Sequence, residues 1–387
     1  MPMTSVTTRL STKRCRNSAL SKWCGITGLV LSGLLFSTAA GACQICVPLP
    51  QDTLADRLLD AETVVLARED PERPFQFVAV ETLKGEVGNP AIEAFLNSQA
   101  RRVLAVYPER AMMLVRGRGS DQWKTLGIAD AEVSRVIRHV VAHADRWSPR
   151  ETSNPQRLET FVPLLGHENR MLHELAYLEI GRAPYGAIRD TATKVSAEKV
   201  RSMLDNPGYM EWRSLAILML AQSGNPADEA RIRNTFDDKQ RFGSTLNLAA
   251  WATAYIAVDG AGAISRIEHL YLANPDRSPE EVSAVVQALS VQANDDPELR
   301  DQVGSAYRTL LEVHPEMAKD ITHDLIAWHR WDFVEPVSRA KARRKGADPL
   351  GAYALDLYLN MAAANAGETA GSRHNRDAAL LPPITEN

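Results

Sequence analysis

Two pairs of residues in this chain have types and spacings that could do chemistry. Cys43 and Cys46 stand as C-x-x-C in the run Ala40-Gly41-Ala42-Cys43-Gln44-Ile45-Cys46, and His139 and His143 are four apart. Thiolates and imidazoles are the ligands of a closed tetrahedral zinc site, and a four-residue spacing on a helix aims two imidazoles at one ion. One expectation is therefore a zinc centre made by Cys43, Cys46, His139 and His143, stapling the N-terminal segment to a later helix. A simpler reading of the thiols is a disulfide between Cys43 and Cys46, as expected of a lone cysteine pair in an oxidising compartment. A redox couple is a third reading. Against it stands Val47-Pro48-Leu49-Pro50, because a thioredoxin-like centre opens a helix whose N-terminus lowers the thiol pKa. Val47 also stands where a c-type haem attachment needs His. For the histidines, neighbouring Arg135, Arg138 and Arg146 oppose a cation, so a solvated helix face is the default.

The compartment decides which of these chemistries is open. The leader carries Arg9, Lys13, Arg14, Arg16 and Lys22 with no acidic residue, followed by an apolar run from Ile26 to Phe36 and by Ala40-x-Ala42. This is the pattern of a secretory signal peptide over residues 1–42, with Cys43 the first residue of the exported chain. The run is shorter than the roughly 20 apolar residues of a spanning helix. The expected location is periplasmic or secreted. The alternative is a lipid anchor on the Cys43 thiol, although Ala40 stands where lipoprotein signals usually carry Leu. Loss of the leader removes Cys15 and Cys24 and leaves 39 basic against 48 acidic residues, a net charge of −9. Such a field repels phosphate backbones, and nucleic acid is not an expected partner. The basic cluster Arg339, Lys341, Arg343, Arg344 and Lys345 reads as the solvated end of a helix.

The elements that must position the cysteines and histidines differ along the chain. From Glu62 to Asp130 the pattern is of short strands with no intervening helical period. These strands are Thr63–Arg68, Phe75–Leu83, Ile92–Leu96, Ala111–Arg116 and Trp123–Ile128. In the second, Phe75, Phe77, Ala79 and Glu81 alternate with Gln76, Val78, Val80 and Thr82 before the turn signal Lys84-Gly85. Five short strands suggest a small barrel or sandwich. With the N-terminal Cys pair, a short helix at Thr53–Leu59, Leu83-Lys84-Gly85 and the late strand Met112-Met113-Leu114-Val115, residues 43–130 resemble the OB-type barrel of the netrin-like and tissue-inhibitor-of-metalloproteinase families. The resemblance implies barrel topology. Inhibition of a secreted protease through the Cys43 amine would also follow from it, but those families use C-x-C bridged to later cysteines, and this chain has none. Val133, Val136, Ile137, Val140, Val141 and Ala144 then mark a helix through Trp147, closing a domain of residues 43–147. A polar stretch at 148–157 reads as a linker.

Residues 158–365 are helical throughout. Apolar periodicity predicts helices at Leu158–Gly181, Ala197–Leu204, Glu211–Ser223, Ala227–Phe236, Thr245–Val258, Ala261–Leu272, Pro279–Gln292, Pro297–Val313 and Pro315–Trp331, punctuated by Gly, Pro and Asn. A last helix is expected at 349–363 and a disordered tail at 366–387. The segment Ala221–Pro226 before Arg231-Ile232 repeats as Ile256–Ala261 before Arg266-Ile267, a shift of 35. Such a period, built from two short helices, is that of an α-solenoid whose neighbouring pairs share a core. With the Ala-rich stretch Ala249–Tyr255 it resembles HEAT-type repeats, which implies binding surfaces rather than chemistry.

Trp328-His329-Arg330-Trp331-Asp332 crowds aromatic and charged groups together. Trp328 and Trp331 share a helix face, which favours a core or capping role. His167-Glu168 reads as a helix start, and Arg182-Ala183-Pro184-Tyr185 as a bend between repeats. No nucleophile-elbow serine, phosphate loop or dinucleotide fingerprint occurs, so no enzyme activity is expected.

The fold class expected is α+β, mainly α: a small OB-like N-terminal barrel with one helix, followed by an α-solenoid. The expected function is an exported envelope scaffold holding a protein or peptide on its helical surface. The alternatives are a metal or redox protein using Cys43 and Cys46, or a secreted-protease inhibitor.

Overall fold

A computed structural model describes residues 45–46, 52–88, 91–344 and 348–378, with side chains to Ala366. The leader, Cys43 and the last nine residues lie outside the described residues, and with them the signal-peptide, lipid-anchor and disulfide expectations.

The first element is set by a reciprocal cap. Thr53 Oγ1 accepts from the Asp56 amide at 3.0 Å while the Asp56 carboxylate accepts from the Thr53 amide at 3.1 Å, which starts helix α1 (Leu54–Asp60). Strands β1 (Thr63–Asp70), β2 (Arg73–Lys84) and β3 (Ile92–Glu93), helix α2 (Ser98–Val106) and strands β4 (Ala111–Arg116) and β5 (Trp123–Ala129) follow. The strands form one antiparallel sheet in the order β3-β2-β1-β4-β5.

The run from Thr63 to Ala67 is buried without a break because both faces of β1 are covered. Val64 and Leu66, with Met113 and Val115, join the cluster of α1 and the later helices. Val65, Ala67, Phe77, Ile92, Met112 and Leu114 form a second cluster against Ala100 and Leu104 of α2. A bulge between Leu66 and Ala67 breaks the alternation expected along β2. Phe77 and Ala79 pack in the second cluster, while Glu81 reaches Arg138 at 2.7 Å.

Two features differ from the sequence expectation. Helix α2 lies between β3 and β4, started by Asn97 accepting from the Ala100 amide at 2.8 Å. Only Ala100 and Leu104 pack inward from it, too thin a stripe to register as a period. Strand β3 is two residues long and pairs only with Gln76 and Phe77. The sheet therefore curls into a half-barrel, and β5 meets the chain after β3 through Thr125 Oγ1 donating to the Phe95 carbonyl at 3.4 Å.

Helix α3 (Ala131–Ala142) leads into the helical part: α4 (Pro155–Phe161), α5 (Arg170–Gly181), α6 (Tyr185–Ala192), α7 (Ala197–Asp205), α8 (Arg213–Leu220) and α9 (Pro226–Phe242). Next come α10 (Leu248–Asp259), α11 (Ala261–Ile267), α12 (Pro279–Asp295), α13 (Arg300–Val313), α14 (Ala318–Ala327), α15 (Val334–Arg343) and α16 (Pro349–Ala378). From α8 onward these stack in two rows. Helices α8, α10, α12, α14 and α16 touch in succession, as do α11, α13 and α15, and Phe236 of α9 meets Tyr271 after α11 at 5.9 Å. Helix α10 lies between α8 and α12 and is buried along most of its length, as a helix apolar all round must be. The array is thus a stack of helical hairpins.

The single helix expected over Leu158–Gly181 is two, α4 and α5. Pro163, Gly166 at φ +67° and the Asn169 cap separate them. Trp147, just before the stretch read as a linker, and Arg157, its last residue, are both buried, and one apolar cluster runs from Leu58 and Met113 through Trp147 to Tyr358.

Candidate functional site

The sequence-predicted residues do not assemble into one place. Cys46 is buried, and its carbonyl accepts from Tyr177 Oη of α5 at 2.6 Å. Its predicted partner Cys43 is outside the described residues. His139 and His143 stand on and just after α3 with ring centroids 4.3 Å apart, and His143 stacks on Trp147 at 4.5 Å. His143 Nδ1 is 2.8 Å from the His139 carbonyl, one turn back. Burial, then the nearness of His143, pushes the His139 pKa below its ordinary value. Among the described residues no three His, Cys, Asp or Glu side chains form a metal-holding group. Trp328 is a core residue, stacked on Tyr307 at 5.9 Å with its Nε1 donating to Asn294 at 2.8 Å. The basic cluster ending α15 is engaged with acid: Arg339 with Glu335 at 2.8 Å, Arg344 with Asp348 at 3.1 Å, and Lys341 with Asp356.

Two constellations are absent from the sequence reading. The first is a buried charge lattice joining α1, α4 and α5. Asp56, Arg157, Glu179 and Arg182 have side chains at most 6% exposed. Arg157 grips Glu179 with Nε and Nη2 at 2.8 and 2.9 Å, Asp56 with Nη2 at 2.8 Å and the Ser148 carbonyl with Nη1 at 2.6 Å. Arg182 donates to both carboxylates, and Thr53 Oγ1 donates to Glu179. Arg150, at φ +60°, turns its amide onto Asp56 at 2.8 Å. Burial pushes the Asp56 carboxyl up, but the Arg182, Arg150 and Arg157 hydrogen bonds outweigh it and hold it far below the carboxylate range. With two guanidiniums balancing two carboxylates and every carboxylate oxygen bonded, this group is a fastener rather than an acid–base pair.

The second constellation is an open cleft of about 970 Å³ at the seam of the half-barrel, between the start of β2, the β3 segment and the β4–β5 turn. Phe75 and Phe95 stack at its edge, 6.2 Å apart and 9° from parallel, and are 45% and 75% exposed. Trp123 lies across from them with the Arg116 guanidinium 5.2 Å over its ring. Phe75 sits at φ +67°, a conformation that a bulky residue rarely adopts. It is held there by local ties. Its amide donates to Glu69 at 2.8 Å, its carbonyl accepts from Ala94 at 3.1 Å, and Arg101, paired with Glu69 at 2.7 Å, covers its ring at 4.8 Å. Such strain concentrates where a fold presents side chains for use. Glu93 and Asp121 also line the cleft, and the side-chain oxygen of Gln76 is buried in its wall without a hydrogen-bond partner.

Nothing in the sequence singled this cleft out: Phe75 and Phe95 fall in the expected strands Phe75–Leu83 and Ile92–Leu96, where a ring reads as core. For the lattice, Thr53-x-x-Asp56 at the start of α1 has the local signature of a capping box, which the sequence reading did not single out.

No family model matches this chain, and comparison with curated proteins and with solved structures gives no match either. The fold by itself defines the class, a curled antiparallel half-barrel fastened to a stack of helical hairpins.

Proposed function

We propose that this is an exported binding protein of the cell envelope, in which the helical stack is a rigid scaffold and a protein or peptide partner is held at the half-barrel seam. On this reading the half-barrel is an opened OB-type barrel and the stack is HEAT-like. The observation that carries the proposal is the cleft itself: a preformed concavity with two stacked phenylalanines and a tryptophan at its rim, one of them in a strained backbone conformation. Exposed aromatic rings around a concave site are a usual signature of recognition surfaces. A hollow of about 290 Å³ on the helical stack, beside Leu311, Pro336 and Arg339, has no aromatic ring in its lining. The seam is therefore favoured over the helical face that sequence alone suggested. The buried lattice supports the scaffold role, because it ties the half-barrel's first helix to the array.

A photo-reactive phenylalanine analogue placed at Phe95 in the full chain, expressed in its own envelope, tests this. The expected result is one dominant adduct whose partner also co-purifies with the unmodified protein and is lost with Trp123→Ala. No adduct, or adducts indifferent to Trp123→Ala, would refute it.

A further inference from the structure

The cleft holds more chemistry than apolar rings. Its cationic member is already committed: Arg116 donates to the Glu86 carbonyl at 2.9 Å, the Val87 carbonyl at 3.3 Å and Thr63 Oγ1 at 3.1 Å. Its acidic members are not. Glu93 and Asp121 are exposed and make no ion pair among the described residues. The uncommitted charges of the lining are therefore both negative, and both carboxylates accept hydrogen bonds.

The spacing adds a geometric constraint. Glu93 and Phe95 are both exposed while Ala94 between them is buried, so that carboxylate and that ring share a side, and Asp121 stands two residues before Trp123 in the same lining. The seam runs between the two edges of the sheet, where Thr125 Oγ1 donates to the Phe95 carbonyl. An extended chain laid along it would meet an acidic and an aromatic group close together at Glu93 and Phe95 and again at Asp121 and Trp123.

We infer that the cleft takes an extended, positively charged peptide segment, lying along the seam with Lys or Arg side chains at Glu93 and Asp121 and apolar side chains on Phe75, Phe95 and Trp123. This rests on the binding role proposed above and names the chemistry of the partner. Aromatic rings reinforce the choice, since a cation passing over their faces is attracted by the ring quadrupole. The chain's net acidity favours the approach of a basic ligand.

The test uses two fluorescein-labelled, end-blocked octapeptides, Lys-Thr-Val-Thr-Lys-Thr-Val-Thr and the same sequence with Glu for Lys, titrated with the full exported chain by fluorescence anisotropy. The lysine peptide is expected to bind at least about tenfold more tightly, and to lose about tenfold or more in affinity with Phe95→Ala. The double variant Glu93→Gln, Asp121→Asn should erase most of the preference between the peptides and steepen none of the salt dependence. All three positions are exposed, so unchanged thermal unfolding of the variants separates lost contact from lost fold. Equal or tighter binding of the glutamate peptide, still weakened by Phe95→Ala, overturns the cationic inference while leaving the cleft as a binding site. Binding of neither peptide overturns the inference, and whether the binding role survives is then read separately from the Phe95 cross-link.

Discussion

Replacing Arg157 by Met tests whether the lattice fastens the half-barrel to the array. The substitution keeps an apolar stem of similar reach and removes four hydrogen bonds, to Glu179 twice, Asp56 and the Ser148 carbonyl. Arg182 is then the one guanidinium the lattice keeps for Asp56 and Glu179, which leaves one excess negative charge in a site whose side chains are at most 6% exposed. Breaking a buried ion pair from one side costs about 3–5 kcal/mol. At about 1.4 kcal/mol per decade, even the lower figure is roughly a hundredfold loss of protection in native-state hydrogen exchange. The loss should appear in the amides of α1 and α4 and not in α12 or α14, because the lattice joins only the first helices of the chain to α5. The control is Arg101→Met, which breaks a pair with Glu69 whose side chains are 43% and 17% exposed and should cost under about 1 kcal/mol. The double variant Arg157→Met, Glu179→Leu removes one charge of each sign and should recover a large part of the loss, since a buried pair replaced by apolar side chains is often neutral. Exchange in α1 no faster with Arg157→Met than with Arg101→Met would refute the reasoning.

Four further outcomes are expected. The folded-state pKa of Asp56 lies below its unfolded value, so the unfolded chain takes up the proton first as pH falls. Its contribution to stability is full above about pH 4 and drains below it, and Asp56→Asn should flatten the acid limb of a urea-midpoint profile. His173 is fully buried, its Nδ1 accepting from the Gly166 amide at 2.7 Å and its ring stacked on Tyr209 at 4.3 Å. Burial, with Lys199, Arg170 and His167 nearby, lowers its pKa to about 4. The folded value is again the lower one, so stability is complete above about pH 6.5 and falls by about 3 kcal/mol towards pH 4; an NMR titration of His173 with a midpoint near 6.5 would contradict this. Gly85 ends β2 at φ +68°, and a Cβ there would run into the Glu62 carbonyl oxygen, whereas Gly88 at φ +72° faces open space. Gly85→Ala should cost more than about 2 kcal/mol and Gly88→Ala only the left-handed backbone term of about 1–2 kcal/mol, read from denaturant midpoints. Tyr307 is buried and donates to Asp324 at 2.7 Å, and Ser290 and Asn294 also donate to that carboxylate. Tyr307→Phe should therefore lose about 1.5–3 kcal/mol by the same measurement.

The amino-acid sequence determined what neighbouring residues can settle among themselves. The strand Thr63–Arg68 with its β-branched start, the helix starts near Ala227, Pro279 and Ala197, and the 35-residue echo between Ala221–Pro226 and Ile256–Ala261 were all legible, because each shows in a few consecutive residues. Helix α6 was read only as a bend and α2 was missed, since short helices with one or two inward residues leave no period to detect. The break of Leu158–Gly181 into α4 and α5 was signalled by Pro163 and Gly166 but hidden by the apolar residues on either side. Tertiary structure alone decided the lattice and the cleft. Asp56 and Arg157 are 101 residues apart, and Thr125 and Phe95 are 30 apart. A charged residue reads as solvent-facing until its partner arrives from another element, and an aromatic residue in a strand reads as core until the sheet fails to close over it. Both outcomes depend on which surfaces remain uncovered once the whole chain has packed, and no local pattern of residues carries that information.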